Sequence, residues 1–456
     1  VTAAPLTIVI GAGISGLACA YALKNAGGNV LLLEASARAG GAIQSVAEDG
    51  YLFELGPQSF SSAAALDELC FRLGIADEIV EAPHGASRYV LIEGKLQSVP
   101  LSPLAFFMSG LVGWSSKLSI LKDLFGKTKP PDRDESIAAF MRRKFTPELL
   151  ERLVGPFVSG IYAGDPERLS LRAAFPKIYK AELAKGGVLR GSLSTAPGGT
   201  AQPVRQSKRR PGIVSFKAGN GTLSSALATA LGESLRRNTA VSGLRLTGEG
   251  FVVVAAMANG IEEIACKRVV LATPTEATAR ILDGVAPDAS CALRKVLYAP
   301  MSVVSLGYRA EQVRRSLQGF GFLVPRSASI RTLGSVWNSS LFPGRAPQGR
   351  VLLTSFVGGA TDPEVSLLSN DALAALVHRE IAPVLGITGN PATSHVTSYS
   401  KAIPQYNLGH LDLLRSVSEA LKAISGLYVI GNYWEGPAVG ACVQRAHTVA
   451  DRIRMG

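Results

Sequence analysis

The string Gly11-Ala12-Gly13-Ile14-Ser15-Gly16 constrains this chain more than any other, because of what stands on either side of it. Leu6 to Ile10 reads as a short buried strand ahead of it, and Ser15 to Ala26 as a helical run behind it. Val30 to Leu33 reads as a second apolar strand, closed by Glu34. A G-x-G-x-x-G string is weak alone. Inside a β-α-β unit, with an acidic residue ending the second strand, it is a dinucleotide-binding fingerprint. Gly11 permits the tight turn, Gly13 lets backbone approach a pyrophosphate, and Gly16 lets helix and strand pack closely. Ala12, Ile14 and Ser15 complete a turn whose unpaired N–H groups carry about half a positive charge toward the phosphates. Glu34 suits a ribose 2′-hydroxyl and repels a 2′-phosphate, which favours FAD or NAD over NADP.

The continuation Glu34-Ala35-Ser36-Ala37-Arg38-Ala39-Gly40-Gly41 selects FAD. An arginine and a second glycine pair after the acidic residue resemble the flavoprotein oxidase pattern. There Arg38 reaches the pyrophosphate, while Gly40 and Gly41 let backbone approach the flavin end.

With 456 residues the chain is long enough for two or three domains, one of them inserted in another. Hydrophobic residues make up 47% and charged ones 18%, which places it with folded proteins rather than disordered ones. The net charge of +12 implies an acidic partner: nucleic acid, anionic lipid, or a carboxylate- or phosphate-bearing ligand. Scattered basic residues, 7% aromatics and no nucleic-acid-binding motif argue against nucleic acid. Cys19, Cys70, Cys266, Cys291 and Cys442 are odd in number and widely spaced, so neither a disulfide framework nor a zinc site is expected. The histidines form no cluster, and no metal is expected.

Ala63 to Leu73 reads as an amphipathic helix. The most hydrophobic stretch, Val99 to Trp114, is broken by Pro100, Pro103, Gly110 and Gly113, and it falls short of the ~20 apolar residues that span a bilayer. It reads either as an interfacial segment or as a buried core helix. Residues 134 to 185 read as helical, with helix starts at Thr146-Pro147 and Asp165-Pro166. Residues 186 to 212, ending Lys208-Arg209-Arg210, read as an exposed low-complexity loop. Strands resume from Ile213 to Leu271 and at Val303 to Leu306, and helices are expected near Asp371 to Leu385 and Leu411 to Ala423. Leu427 to Gly431 reads as a last strand running into a glycine-rich turn and a terminal helix. With a strand expected from residue 6, no room is left ahead of it for a targeting peptide, and the compartment is not read from the sequence.

Four further strings carry a specific likeness: Phe53-Glu-Leu-Gly-Pro-Gln-Ser-Phe60, Pro156-Phe-Val-Ser-Gly-Ile-Tyr-Ala-Gly-Asp-Pro166, Lys401-Ala-Ile-Pro-Gln-Tyr406 with Gly409-His410, and Gly431-Asn432-Tyr433 with Gly440-Ala441-Cys442. They closely resemble the protoporphyrinogen oxidases, within the flavin amine oxidase and phytoene desaturase superfamily, and the resemblance runs end to end. It implies an α/β fold of three parts. A discontinuous Rossmann-like FAD-binding domain would take residues 1–65, 213–290 and 425–456. A mixed-sheet substrate domain would take 66–97 and 291–424, and an inserted all-helical membrane-docking domain 98–212. The flavin contacts it implies are the Gly11–Gly16 turn, Glu34, Ala35, Arg38, Ala42, the Gly56-Pro57-Gln58-Ser59 turn, the backbone of Val241, and Asn432, Pro437, Ala438 and Val439. Pro437 stands where the family usually has valine. Proline suits the first turn of a helix, so a helix start is still expected there.

Arg88 matches the family's arginine that faces a substrate propionate, for which a guanidinium is a bidentate partner. The backbone at Gly160 and the side chains of Met301, Leu323 and Trp337 are implied as apolar walls, with Trp337 larger than the residue many relatives carry. The implied reaction removes six electrons from a porphyrinogen in three two-electron cycles, through flavin to O₂, releasing hydrogen peroxide. Catalysis of that kind is mainly placement, and no residue is singled out as a general base. Coproporphyrinogen III, with four carboxylates, remains an alternative substrate. So does an amine, which would not need Arg88, and so does a flavin- or tetrapyrrole-binding role without turnover. The resemblance also implies a homodimer on a membrane surface, cytoplasmic in a bacterium and on an organelle membrane in a eukaryote.

Overall fold

Strands that are apolar at every position can be buried on both faces, and such strands build the centre of this chain. In the computed structural model, which describes residues 5–100, 102–125, 128–194, 212–258 and 260–455, β1 (Thr7–Ile10) and β2 (Val30–Leu33) flank the helix α1 (Ile14–Asn25) in sequence. The two strands pair in parallel, with Ile8 opposite Leu31. Arg268–Leu271 pairs with the other side of β1, and Leu427–Val429 and Leu235–Arg236 complete a five-stranded parallel sheet. On one face Val9, Leu32 and Val270 pack beneath α1 and the helices Gly221–Leu231 and Val439–Met455. On the other, Ile8, Leu31 and Val269 pack with the antiparallel strands between Ala240 and Cys266 and the helices Thr275–Leu282, Pro287–Arg294 and His410–Lys422.

Two helices join these cores outside the expected boundaries. Ala64–Arg72 packs Leu66, Leu69 and Cys70 against the parallel sheet, and His410–Lys422 does so with Leu414 and Val417. The cores therefore part well after residue 66, and the chain rejoins the parallel sheet ahead of residue 425.

A second, seven-stranded sheet runs in the order Thr393–Pro404, Tyr298–Arg309, Arg350–Gly358, Thr332–Val336, Gly321–Leu323, Arg88–Ile92 and Lys95–Val99. Its pairs are antiparallel except Gly321–Leu323 beside Arg88–Val90. One face, with Val304, Leu306, Phe322 and Leu353, lies under the helix Asn370–Leu385. Met301, Leu333 and Phe356 cluster separately, together with Ala163 from the helical segment.

In that segment Thr146 caps the helix at Pro147 by accepting the Leu149 N–H at 3.4 Å. The helix expected at Asp165-Pro166 is absent. The Asp165 carboxylate takes the Glu167 N–H at 2.9 Å, but Leu169 and Ser170 are then drawn into bridges with Asn407 and Ser136, which ends the turn. The expected loop from residue 186 begins instead with the helix Val188–Ser194, whose Leu189 N–H donates to Asp123 at 2.9 Å. Residues 195–211, including Lys208-Arg209-Arg210, lie outside the described residues.

The hydrophobic stretch forms the helix Pro103–Met108 and leads into Trp114–Phe125. The latter is built inside out. Trp114, Leu118, Leu121 and Phe125 are exposed, whereas Ser116, Lys117 and Asp123 are buried. Among the described residues no helix is long and apolar enough to cross a membrane.

A buried polar cluster joins the strand Tyr51–Glu54, the strand Ile213–Phe216 and the segment ahead of Arg350–Gly358. The fully buried Arg345 donates to Ser215 Oγ at 2.5 Å and lies 3.5 Å from Glu54 Oε1. Glu54 accepts from Ser45 Oγ at 2.6 Å and from the Asn220 N–H at 2.9 Å. Burial outweighs these partners and pushes its carboxyl from 4.5 up to about 7. The folded chain then keeps a proton that the unfolded chain releases. The stabilisation is fully present below pH 4.5 and is lost as the pH rises through about 7. Glu54→Gln is expected to flatten this slope, worth roughly 3 kcal/mol over the window, in denaturant melts compared with wild type. Identical slopes would show that the carboxyl titrates as an ordinary surface acid.

Candidate cofactor and substrate site

The turn after β1 is shaped by close approach. Gly11 has φ +98°, and a Cβ there would lie 2.9 Å from Thr273 Cγ2. A Cβ on Gly16 would lie 1.9 Å from the Gly11 carbonyl oxygen, so α1 touches the turn through a residue without a side chain. Beside Gly13, by contrast, a Cβ would meet nothing within 4 Å. Gly13 is the N-cap of α1; no side chain caps it and no acidic residue stands in the first turn. The first N–H groups, from Ile14 onward, thus face open space at the positive end of the helix, which fits the pyrophosphate of a dinucleotide.

The other expected cofactor residues gather around this turn. The Gly40 N–H donates to the Ala12 carbonyl at 2.8 Å, and a Cβ on Gly41 would lie 3.2 Å from Gly13 Cα. Gly56 packs against Ala42, whose carbonyl oxygen lies 2.0 Å from where a Cβ would be. Glu34 Oε2 accepts the Ala12 N–H at 2.7 Å, and Oε1 accepts the Ser36 N–H at 2.9 Å and hydroxyl at 2.7 Å. The carboxylate is thereby aimed, with acceptor capacity left on Oε2 for a ribose hydroxyl. Ala35 continues this strand end. Arg38 is exposed and folds back to donate to the Gly41 carbonyl at 2.7 Å. The Thr239 N–H donates to the Glu34 carbonyl at 2.8 Å, which brings the chain leading to Val241 alongside.

Gln58 is buried and serves its own turn. Its amide donates to the carbonyls of Glu54 at 3.0 Å and Gly56 at 2.9 Å, and accepts from Asn338 at 2.7 Å. Asn220 holds the Pro57 carbonyl at 2.7 Å, and Ser59 follows half-buried. Asn220, Asn338 and Arg345 were missed because they reach this turn from far along the chain, and no local pattern marks them.

Asn432 follows the last strand of the parallel sheet, and its carbonyl accepts from the Tyr406 hydroxyl. The helix expected near Pro437 begins at Val439, and the Ala438 carbonyl accepts the Ala441 and Cys442 N–H groups at 3.0 and 3.1 Å. Pro437 thus precedes the cap rather than sitting in the first turn. The positive-φ Gly436 turns the chain just before it, and the helical bonds start only at Ala438.

On the substrate side, a Cβ on Gly160 would lie 2.8 Å from Leu323 Cδ2, so the helix Gly155–Tyr162 rests on the seven-stranded sheet at that residue. Register sets Arg88 opposite Gly321 and Val90 opposite Leu323. Alternation then puts Arg88 on the same sheet face as Leu323. Arg88 is exposed, and its guanidinium lies 5.5 Å from the Phe320 ring centre. Met301 belongs to the apolar cluster with Leu333 and Phe356. Trp337 is corrected. It is fully buried, packs 5.4 Å from the Tyr89 ring, and fills the core beneath Asn370–Leu385 with Phe322. A large flat indole finds more apolar contact in that core than at an open wall.

The chain is 36% identical to the chloroplastic protoporphyrinogen oxidase of Oryza sativa subsp. japonica, covering 98% of this chain and 87% of that one. It is 30% identical to the coproporphyrinogen III oxidase of Bacillus subtilis (strain 168), covering 96% and 95%. The solved structure of a candidate protoporphyrinogen oxidase from Exiguobacterium sp. 255-15 superimposes with a TM-score of 0.82 over 99% of both chains at 24% identity, and so shares the fold. The family model described as flavin containing amine oxidoreductase matches residues 14–454, and the chain belongs to that family.

Proposed function

We propose that this chain is an oxygen-dependent, FAD-containing oxidase that converts protoporphyrinogen IX to protoporphyrin IX in tetrapyrrole biosynthesis. One observation carries the reading: a single sheet face joins an exposed guanidinium, Arg88, to an apolar wall at Leu323 and Gly160. An apolar macrocycle with propionates at one edge has that same division of polarity. The relatives' names point to the same substrate class.

The flavin supplies the acceptor for each electron pair and its return to O₂ as hydrogen peroxide. The residues of the chain do the placing. Uncapped N–H groups of α1 hold the pyrophosphate, Glu34 orients the ribose, and the turn braced by Gln58 and Asn220 flanks the flavin. Arg88 draws in a propionate, and Phe320 beneath it limits the guanidinium's freedom. Met301, Leu323, Leu333 and Phe356 keep water from the ring. None of these four titrates, which fits a reaction driven by placement rather than by a side-chain base.

Coproporphyrinogen III is the second reading, favoured by the relative of that name. Both porphyrinogens, prepared anaerobically and assayed by porphyrin fluorescence above spontaneous oxidation, separate the two; turnover of neither would end the porphyrinogen reading. Arg88→Ala is expected to raise KM by about tenfold or more while leaving kcat nearly unchanged. An unchanged KM would remove Arg88 from the site.

The reading extends to a peripheral membrane surface. The inside-out helix Trp114–Phe125 exposes Trp114 and Phe125, with Leu104 and Met108 of the preceding helix also exposed. A tryptophan beside aliphatic side chains suits the bilayer interface. Leu118→Glu is expected to release the protein from phosphatidylglycerol-containing vesicles in flotation while leaving the flavin spectrum intact. Undiminished flotation would turn that face into a surface for some other contact.

A further inference from the structure

Tyr406 is 1% exposed, and burying a hydroxyl is unfavourable unless it is paired. A phenylalanine would pack its ring equally well, so the oxygen has a polar task. It donates to the Asn432 carbonyl. The hydroxyl thereby ties residue 406 to the beginning of the turn that leads to the helix start at Ala438. The same turn is held by His410, whose Nε2 lies 2.8 Å from the Tyr433 carbonyl.

The ring of Tyr406 makes a second set of contacts. It meets Tyr162 edge-on at 5.5 Å and His410 at 4.7 Å. Tyr162 is the last residue of the helix that carries Gly160. Gln405 donates to the Tyr162 carbonyl at 2.8 Å, and the Ser170 N–H donates to the Tyr406 carbonyl at 2.8 Å. Residues 405 and 406 are therefore fastened to the helical segment on one side and to the 432–436 turn on the other.

We infer that Tyr406 is a positioning residue that sets the distance between the substrate wall at Gly160 and the flavin-facing turn at Asn432. This rests on the reading of Asn432 and Ala438 as flavin contacts. The ring fixes the position of Tyr406 against the substrate-side helix, and the hydroxyl transmits that position to the cofactor side.

Tyr406→Phe keeps the ring and removes the tie. The expected result is a folded protein whose apo form binds FAD about tenfold more weakly, with kcat lowered about tenfold and KM for the porphyrinogen held within about twofold. A merely structural tyrosine would lower Tm without moving the flavin absorption bands or the FAD Kd. Ala438→Asp tests the underlying reading, since aspartate still caps the helix but sets a carboxylate where the cofactor is expected. If Ala438→Asp weakens FAD binding and Tyr406→Phe does not, the inference about Tyr406 is overturned; if neither does, the flavin-facing reading of the turn falls. Should Tyr406→Phe fail to fold, Tyr162→Leu decides. A lower kcat with unchanged FAD Kd supports the inference, and an unchanged kcat overturns it.

Discussion

The place a Cβ would take on Gly16 is occupied by the carbonyl oxygen of Gly11, and much of the molecule depends on that contact. It lets α1 lie against the end of β1, which directs the helix's unpaired N–H groups into the open space beside Gly13. With the turn fixed, Ala12 can both accept from Gly40 and donate to Glu34, so three separated stretches of chain converge on one point. The larger side chains around the site are arranged with respect to this contact between two glycines.

The first thirty-odd residues were legible because their signals are local. Strand, turn, helix and acidic terminus follow one another without a tertiary partner having to be known, and the observed Thr7–Ile10, Ile14–Asn25 and Val30–Leu33 differ from expectation only at the ends. Thr146-Pro147 was legible for the same reason. Asp165-Pro166 carries the same local signal and failed, because Leu169 and Ser170 gain more from bridging Asn407 and Ser136 than from continuing a helix. Trp337 was misplaced for a related reason: nothing in its neighbourhood says which side of a sheet will be covered.

Polar residues that brace the site from a distance were invisible. Arg345, Asn220 and Asn338 have unremarkable neighbours in sequence, and their importance comes from the buried carboxyl of Glu54 and the amide of Gln58 to which they are joined. The stretch from Val99 to Trp114 was ambiguous in another way. A buried helix and an interfacial one share a composition, and only solvent exposure separates them; in this stretch Leu104 and Met108 are exposed while Leu111 and Val112 are buried.

The helix Val439–Met455 packs Val443, Ala446 and Val449 into the same core as Leu17 and Ala18 of α1. The helix that follows the glycine turn is therefore covered by one that is synthesised long after it. Until residue 455 has left the exit tunnel, the part of α1 that this helix covers stays open, and the nascent chain carries the glycine turn incompletely packed while the residues between are made. A ribosome stalled before residue 427 would leave a chain with its central sheet incomplete and α1 without the helix Val439–Met455 against it.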